Sequence, residues 1–293
     1  MPEKSPQQES IQGNHEKISY TAIAVAYART FSDIPYSKEI SDICDASNLT
    51  EENAKVHHDL APYFEARFKG LTNLIKKSGI KNILEVASGV DPRGLIMAEE
   101  DPEVTFMETD LPDMLRQKRN VLDELCKQAK IQLPKNLHFA ELNVLDEVAF
   151  RTALEGFPSG PIAIGNEGLL AYFNREEKQK MAEIIHDILV ERGGVWVTPD
   201  IFTVADLKKT VTDDKKHEVA MEELKTRTQR KYESNAFIDV DDAKKFFTDL
   251  GFEFNISTIG EAAGDLASAK IGLDEGNVRR QLSLNIWELK VKK

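Results

Sequence analysis

Cysteine is scarce in this sequence, and the two cysteines present are far apart. Cys44 and Cys126 both fall in helix-like segments, and neither has the CxxC spacing of a zinc or thiol–disulfide site. With so few thiols, a chain of 293 residues is not built on a disulfide framework. The two cysteines are therefore predicted to be buried thiols of a cytoplasmic protein.

Long apolar runs and an excess of basic residues are also missing. No run approaches the roughly 18 apolar residues of a membrane span. Residues 1–17 lack the basic and apolar regions of a signal peptide and are predicted to be a disordered tail. The formal net charge of −12 argues against nucleic acid, which is bound chiefly through Lys and Arg, and the six histidines show no metal-binding spacing. We therefore expect no membrane, nucleic-acid or metal partner.

The sequence does contain a regular alternation of short apolar runs and helical stretches. Predicted strands cover 80–87, 104–107, 137–142, 161–164, 194–198, 252–257 and 281–291, and predicted helices cover 93–99, 112–129, 146–154, 175–192 and 241–250. Such alternation is typical of βαβ units. The predicted fold class is α/β, with a Rossmann-like, seven-stranded, mostly parallel sheet that carries helices on both faces.

Two predicted helical regions are not needed to complete this sheet. Residues 18–78 form a helical N-terminal cap, which Pro62 divides, and residues 201–236 form a helical insertion after the fifth strand. Residues 18–293 are thus predicted to be a single domain, with 79–200 as its ligand-binding core and 237–293 as the C-terminal part of that core. Both added regions can reach over the carboxyl ends of the strands, so we expect the insertion to act as a lid.

A glycine turn follows the first predicted strand, at the edge where open α/β sheets bind their ligands. Gly89 lets the backbone of this turn approach a ligand closely. The second strand ends in Asp110, at about the 20-residue offset where an acid meets a ribose diol. The same residue could simply begin the helix at Pro112, because Asp suits a helix N-cap. The ribose interpretation predicts a nucleoside ligand.

A dinucleotide fits this turn poorly. Its fingerprint would place Ala87, Gly89 and Pro92 where glycines or a small residue belong. Asp91 would also point a negative charge at the pyrophosphate, where a helix N-terminus should attract anions.

A nucleoside triphosphate also fits poorly, whereas S-adenosylmethionine meets neither difficulty. Gly89 and Gly94 have the spacing of a P-loop, but Leu95 and Ile96 stand where Lys and Ser or Thr must be. S-adenosylmethionine has no phosphate and carries a positive sulfonium, so an acid-rich turn suits it. Electrostatics therefore favours this methyl donor.

Three motifs in order resemble the leucine carboxyl methyltransferase family, which includes polyketide O-methyltransferases and belongs to the class I S-adenosylmethionine-dependent methyltransferases. They are ILEVASGVDPRG, FMETDLPDMLRQKR and NEGLLAYFNREEKQ. Within them, the family's hallmarks match Gly89 to Arg93, Glu108 to Pro112 and Glu167 to Tyr172. Ala87 and Pro92 depart from the family, which has Gly and Thr there.

The resemblance implies a role for each matching residue. Arg67 would bind the donor's methionine carboxylate, a task that suits a planar guanidinium. Asp110 would bind the ribose, and Glu167 would bind the donor's ammonium or order the site. The remaining donor-binding residues would be Glu85, Ala87 and Gly89 at the methionyl part, Leu111 beside the ribose, and Asn143 and Val144 near the adenine. Tyr172 would be the catalytic residue that faces the methyl-transfer pocket.

The reaction implied is direct displacement, in which an acceptor oxygen attacks the donor's methyl carbon. A carboxylate acceptor is already ionised, whereas a phenol or alcohol needs a general base. No histidine stands in a recognised motif, which favours a carboxylate or acidic hydroxyl of a small molecule or a protein terminus, with a small molecule preferred. Two alternatives stay open at this point: a dinucleotide-dependent oxidoreductase, and a non-catalytic protein that binds the same ligand.

Overall fold

The computed structural model describes residues 21–46, 50–207, 209 and 232–292. The predicted tail at 1–17 and most of the predicted insertion lie outside these described residues. In the described ranges, no helix combines the length and the apolar character that a membrane crossing needs.

A seven-stranded sheet forms the centre of the fold, as the sequence predicts. Its strands are β1 (Asn82–Val86), β2 (Thr105–Asp110), β3 (Leu137–Glu141), β4 (Ile162–Asn166), β5 (Gly194–Thr198), β6 (Phe252–Thr258) and β7 (Asn285–Val291). The spatial order is β3-β2-β1-β4-β5-β7-β6, and only β7 runs antiparallel to its neighbours. The order reverses between β1 and β4, which places the ligand crevice of an open α/β sheet at their carboxyl ends.

Helices cover both faces of this sheet. In chain order they are α1 (21–29), α2 (Ser37–Ile43), α3 (Glu51–Asp59), α4 (Ala61–Ser78), α5 (Arg93–Glu100), α6 (Pro112–Ala129), α7 (Glu147–Leu154), α8 (Arg175–Arg192), α9 (Val204–Leu207), α10 (Tyr232–Asn235), α11 (Val240–Asp249), α12 (Ile259–Ala263) and α13 (Glu275–Leu282). Successive residues of β1 pack into opposite layers, because Ile83 joins one apolar core and Leu84 the other. The central strands are therefore buried on both faces, as parallel strands usually are.

The cap is divided where the sequence predicts. Thr50 starts α3 by accepting a hydrogen bond from the Asn53 amide at 3.3 Å. Leu60 separates the two helices, as the C-cap of α3 and the N-cap of α4. Pro62 occupies the first turn of α4, where a missing N–H costs nothing. Gly79, with φ +70°, then ends α4 in the left-handed conformation that glycine favours.

Three helices were not predicted as separate elements, namely α2, α12 and α13, and the last of them corrects the last predicted strand. Helix α2 lies within the predicted cap and α12 follows β6 directly. Helix α13 occupies the start of the strand predicted at 281–291, so β7 begins only at Asn285. Asp274 starts α13 by accepting from the Asn277 amide at 2.8 Å. The apolar alternation of Leu282, Leu284 and Ile286 runs from the end of α13 into β7. All three residues pack into the same core, from a helix end, a turn and a strand respectively.

Candidate functional site

The turn after β1 is fastened to the end of β2. The Gly89 amide donates to Asp110 Oδ2 at 2.8 Å, and the Leu111 amide donates to Asp110 Oδ1 at 2.8 Å. Asp110 is the last residue of β2 and Leu111 is the N-cap of α6, so the N-cap interpretation of Asp110 was wrong. Gly89 has φ +51° and Ala87 has φ +54°. The family's glycine at the position of Ala87 thus matches a left-handed backbone that alanine adopts at a cost.

Asp91 occupies the N-terminus of α5. Its Oδ1 accepts from the Arg93 amide at 2.9 Å, and its Oδ2 pairs with Arg29 at 2.9 Å and with Arg93 at 3.2 Å. Burial alone would raise the pKa of Asp91, but the guanidinium groups of Arg29 and Arg93 outweigh burial and hold the pKa below its usual range. A pyrophosphate would need this same helix terminus. The described geometry therefore disfavours the dinucleotide alternative.

Arg93 connects this turn to the neighbouring strand and helix. Its side chain is fully buried, and it donates to Glu85 Oε1 at 2.7 Å, to Glu167 Oε2 at 2.7 Å and to the Phe68 carbonyl at 2.7 Å. Burial raises the pKa of Glu85 to about 7, against the opposing charge of Arg93. Arg93 belongs to a motif that the sequence identified, yet no role was predicted for it.

Glu167 lies directly after β4 and gathers three guanidinium groups. Its side chain is 6% exposed, and its oxygens accept from Arg29 at 2.8 Å and from Arg93 at 2.7 Å. The Nε atom of Arg67 lies 3.8 Å from Glu167 Oε1. Of the two roles predicted for Glu167, these contacts correspond to ordering the site, and binding of the donor's ammonium stays a prediction.

Arg67 projects from α4 toward the ends of β4 and β5. It donates through Nη2 to Asp200 at 2.6 Å and through Nη1 to the Tyr63 hydroxyl at 2.9 Å. Asp200 follows β5. Neither Asp200 nor the role of Arg29 on α1 was predicted from the sequence.

The other predicted site residues lie at the same edge but have fewer contacts. The Leu142 amide donates to the Asp110 carbonyl at 2.9 Å, which brings the residues after β3 beside the ribose-binding candidate. There Asn143 is exposed and Val144 is buried. The hydroxyl of Tyr172 lies 2.9 Å from Thr21 Oγ1 on α1. The predicted roles of Asn143, Val144 and Tyr172 stay predictions.

Comparison with solved structures defines the fold class. A DUF574 family protein from Streptomyces avermitilis MA-4680 superposes with a TM-score of 0.59 at 16% identity, over 93% of this chain and 97% of that one. The methyltransferase domain of a bacterial protein, CtHen1-C, gives a TM-score of 0.50 at 9% identity, over 79% of this chain and 100% of that one. An O-methyltransferase family protein from Burkholderia thailandensis gives 0.47 at 15% identity, over 86% and 62%. The chain has a Rossmann-like methyltransferase fold.

Comparison with family profiles gives the family itself. The profile of leucine carboxyl methyltransferase matches residues 27–186, more than half of the chain. No curated protein matches the sequence. The chain belongs to the leucine carboxyl methyltransferase family, and it is a methyltransferase that uses S-adenosylmethionine.

The residues at the site fit this donor. Among the described residues, Arg29 Nε, Arg67 Nε, Ser88 Oγ and Glu85 Oε2 are buried without a hydrogen-bond partner. Buried polar atoms are rarely left unsatisfied, so unused donors and acceptors at a ligand-binding edge indicate that a polar ligand completes them. The amino-acid part of S-adenosylmethionine offers a carboxylate for the guanidinium N–H groups and an ammonium for the carboxylate oxygen.

Proposed function

We propose that this protein is an O-methyltransferase that methylates a carboxylate or an acidic hydroxyl of a small molecule. One observation carries the proposal: the ionisable groups bonded together at the site are guanidinium groups, carboxylates and the Tyr63 hydroxyl, whose pKa burial raises to about 12. No imidazole is bonded to any of them within the described ranges. An ionised acceptor needs no general base, so such a site suits it.

The chain's own contribution is then to bind and align the two reactants. Arg67 binds the donor's carboxylate, Asp110 binds the ribose hydroxyls and Glu167 holds the guanidinium groups in place. Asn143 and Val144 lie beside the adenine. S-adenosylmethionine, when bound, supplies a methyl group activated by the sulfonium.

The acceptor side is assigned to the turn that follows β4. Tyr172 lies at the end of this turn and faces the acceptor, with its hydroxyl oriented by Thr21 of α1 at 2.9 Å. The acceptor oxygen attacks the methyl carbon from this side, and the bond from that carbon to sulfur breaks as S-adenosylhomocysteine leaves. The nearby carboxylates favour the cationic donor electrostatically.

Two measurements test the proposal. Calorimetry should show binding of S-adenosylmethionine and S-adenosylhomocysteine but not of NAD, and Asp110→Ala should weaken binding by about 1.5–3 kcal/mol, the loss expected for a hydrogen bond to a charged group. Radiolabelled methyl transferred to mixtures of small carboxylic acids should be released by alkali, because methyl esters hydrolyse and ethers do not. Label that resists alkali would contradict a carboxylate acceptor, and a protein that binds the donor but never transfers label would be the non-catalytic alternative.

A further inference from the structure

Asp200 is the most completely bonded carboxylate at the site. It is 1% exposed and follows β5 at the edge where the ligand crevice lies. Five groups donate to it: Arg67 Nη2 and the Gly168 amide to Oδ1 at 2.6 and 2.9 Å, and Asn166 Nδ2 and the amides of Leu169 and Leu170 to Oδ2 at 2.8, 2.7 and 3.3 Å. A carboxylate offers about four lone-pair positions, so these donors use its whole capacity.

Three of these donors are successive backbone amides, which a single anion fixes in one conformation. They belong to the turn at 168–170, which begins at Gly168 with φ +76° and leads into a 3-10 helix of one turn, Leu170–Tyr172. Glu167 precedes this turn and Tyr172 ends it. The position of Asp200 therefore determines where both side chains stand.

The remaining two hydrogen-bond donors, Asn166 and Arg67, fix Asp200 relative to the part of the site that is proposed to bind S-adenosylmethionine. Trp196 Nε1 donates to Asn166 Oδ1 at 2.7 Å, so the amide of Asn166 must present its N–H₂ to Asp200. Arg67 is held by Asp200 at one end of its guanidinium and by Tyr63 at the other. Its Nε makes no hydrogen bond among the described residues, since the nearest oxygen of Glu167 lies 3.8 Å away, and it is thereby left for a ligand.

We propose that Asp200 is a positioning residue for methyl transfer, which orients Arg67 toward the donor and the 168–170 turn toward the acceptor through one carboxylate. This proposal rests on the proposed role of Arg67 in binding the donor's carboxylate. Neither effect requires contact between Asp200 and the reactants. Both require a full negative charge with all its acceptor positions in use.

The isosteric variant Asp200→Asn tests this requirement. Its amide N–H₂ must face donor groups on one side, either Arg67 and the Gly168 amide or the Leu169 and Leu170 amides, so one set of bonds is lost. We expect the Kd of S-adenosylhomocysteine, measured by calorimetry, to rise about 10- to 100-fold, as for the loss of a hydrogen bond to a charged group. Unchanged affinity in Asp200→Asn, with wild-type binding intact, would overturn the positioning role alone. A wild-type protein that does not bind S-adenosylhomocysteine would overturn the proposed function and this proposal with it.

A second variant, Asp200→Glu, keeps the charge and so keeps a counterion for Arg67. It is expected to fold even if Asp200→Asn does not. Because the added methylene displaces the carboxylate, the Kd should still rise several-fold. Wild-type affinity in Asp200→Glu would show that position does not matter and would overturn the proposal.

Glu65→Gln provides a matched control for a loss of stability. Glu65 lies on the same helix as Arg67, is fully buried, accepts from the Ala267 and Ser268 amides at 3.1 and 2.8 Å, and pairs with Lys69 at 2.7 Å. Glu65→Gln and Asp200→Asn should both lower the Tm, but only Asp200→Asn should raise the Kd of S-adenosylhomocysteine. An equal rise in Kd in both variants would mean general loosening and would contradict positioning.

A double-mutant cycle with Arg67→Met separates an effect through Arg67 from an independent one. If Asp200 acts on the donor through Arg67, Asp200→Asn should raise the Kd no more than about 2-fold in the Arg67→Met background, because coupled residues are not additive. Full additivity of the two losses would refute the link between the two residues.

Discussion

Gly94 shows how closely helix α5 is packed against the end of β2. A Cβ atom added at Gly94 would lie 2.3 Å from Oε1 of Glu108 and 2.7 Å from its Cγ. Glu108 is fully buried, accepts from the Gly94 amide at 3.1 Å and pairs with the buried Lys118 at 2.8 Å. Gly94→Ala is therefore expected to displace either the ion pair or the helix.

The magnitude follows from these two routes. Moving the Glu108 carboxylate by about 1 Å would break its bond to Lys118, and a lost hydrogen bond to a charged group costs about 1.5–3 kcal/mol. Moving α5 instead incurs the cost of overpacking, about 1–3 kcal/mol. We expect Gly94→Ala to lower the free energy of unfolding by about 3 kcal/mol, which corresponds to a Tm lower by roughly 6–12 °C.

Gly156→Ala is the matched control in calorimetric or circular-dichroism melts. A Cβ added at Gly156 would lie 2.8 Å from Cε of Met107, which is the far end of a flexible side chain and can move away. Its Tm should stay within about 3 °C of wild type. If Gly94→Ala and Gly156→Ala lower the Tm equally, the reasoning about the Glu108–Lys118 pair is refuted.

Two further predictions concern backbone strain and pH. Ala87 and Gly89 both have positive φ, which glycine adopts more easily than alanine. Ala87→Gly should therefore raise the free energy of unfolding by up to about 1 kcal/mol, and Gly89→Ala should lower it by about 1–2 kcal/mol. Changes of the opposite sign in urea denaturation would contradict this. Burial lowers the pKa of Lys178 to about 8. The unfolded chain therefore binds more protons than the folded one above that pH, and the wild type should gain roughly 1–2 kcal/mol of stability relative to Lys178→Met between pH 8 and 9.5. Parallel pH profiles of the two proteins would rule out this assignment.

The sheet and the turn after β1, which contains Gly89, could be predicted because their sequence signals are local. Each central strand is a short apolar run, and Gly89 and Asp110 lie within motifs of a few residues. The alternation at 282–286 misled the prediction because the same period-2 pattern arises where a helix end, a turn and a strand feed one core. Local pattern cannot distinguish these cases without the Asp274 cap, which lies upstream.

Asp200 and Arg29 could not be predicted because their partners are distant in the chain. Arg67 is 133 residues from Asp200, and Glu167 is 138 residues from Arg29. A lone Asp after a strand, or a lone Arg on a cap helix, has no pattern that separates it from a surface residue or a core residue. Only the folded sheet brings them to one edge.

The contacts of Arg29 extend the donor-binding role expected of the N-terminal cap. The family resemblance places one cap residue, Arg67 of α4, at the donor's carboxylate. The structure adds Arg29 of α1, which is 5% exposed and pairs with Asp91 in the turn after β1 and with Glu167 after β4. Removing one partner of a buried ion pair leaves the others uncompensated, at a cost of about 3–5 kcal/mol. Without α1, Asp91 in the turn after β1 and Glu167 after β4 would each lose one cationic partner. We therefore infer that α1, and not only Arg67 of α4, belongs to the donor side of the site.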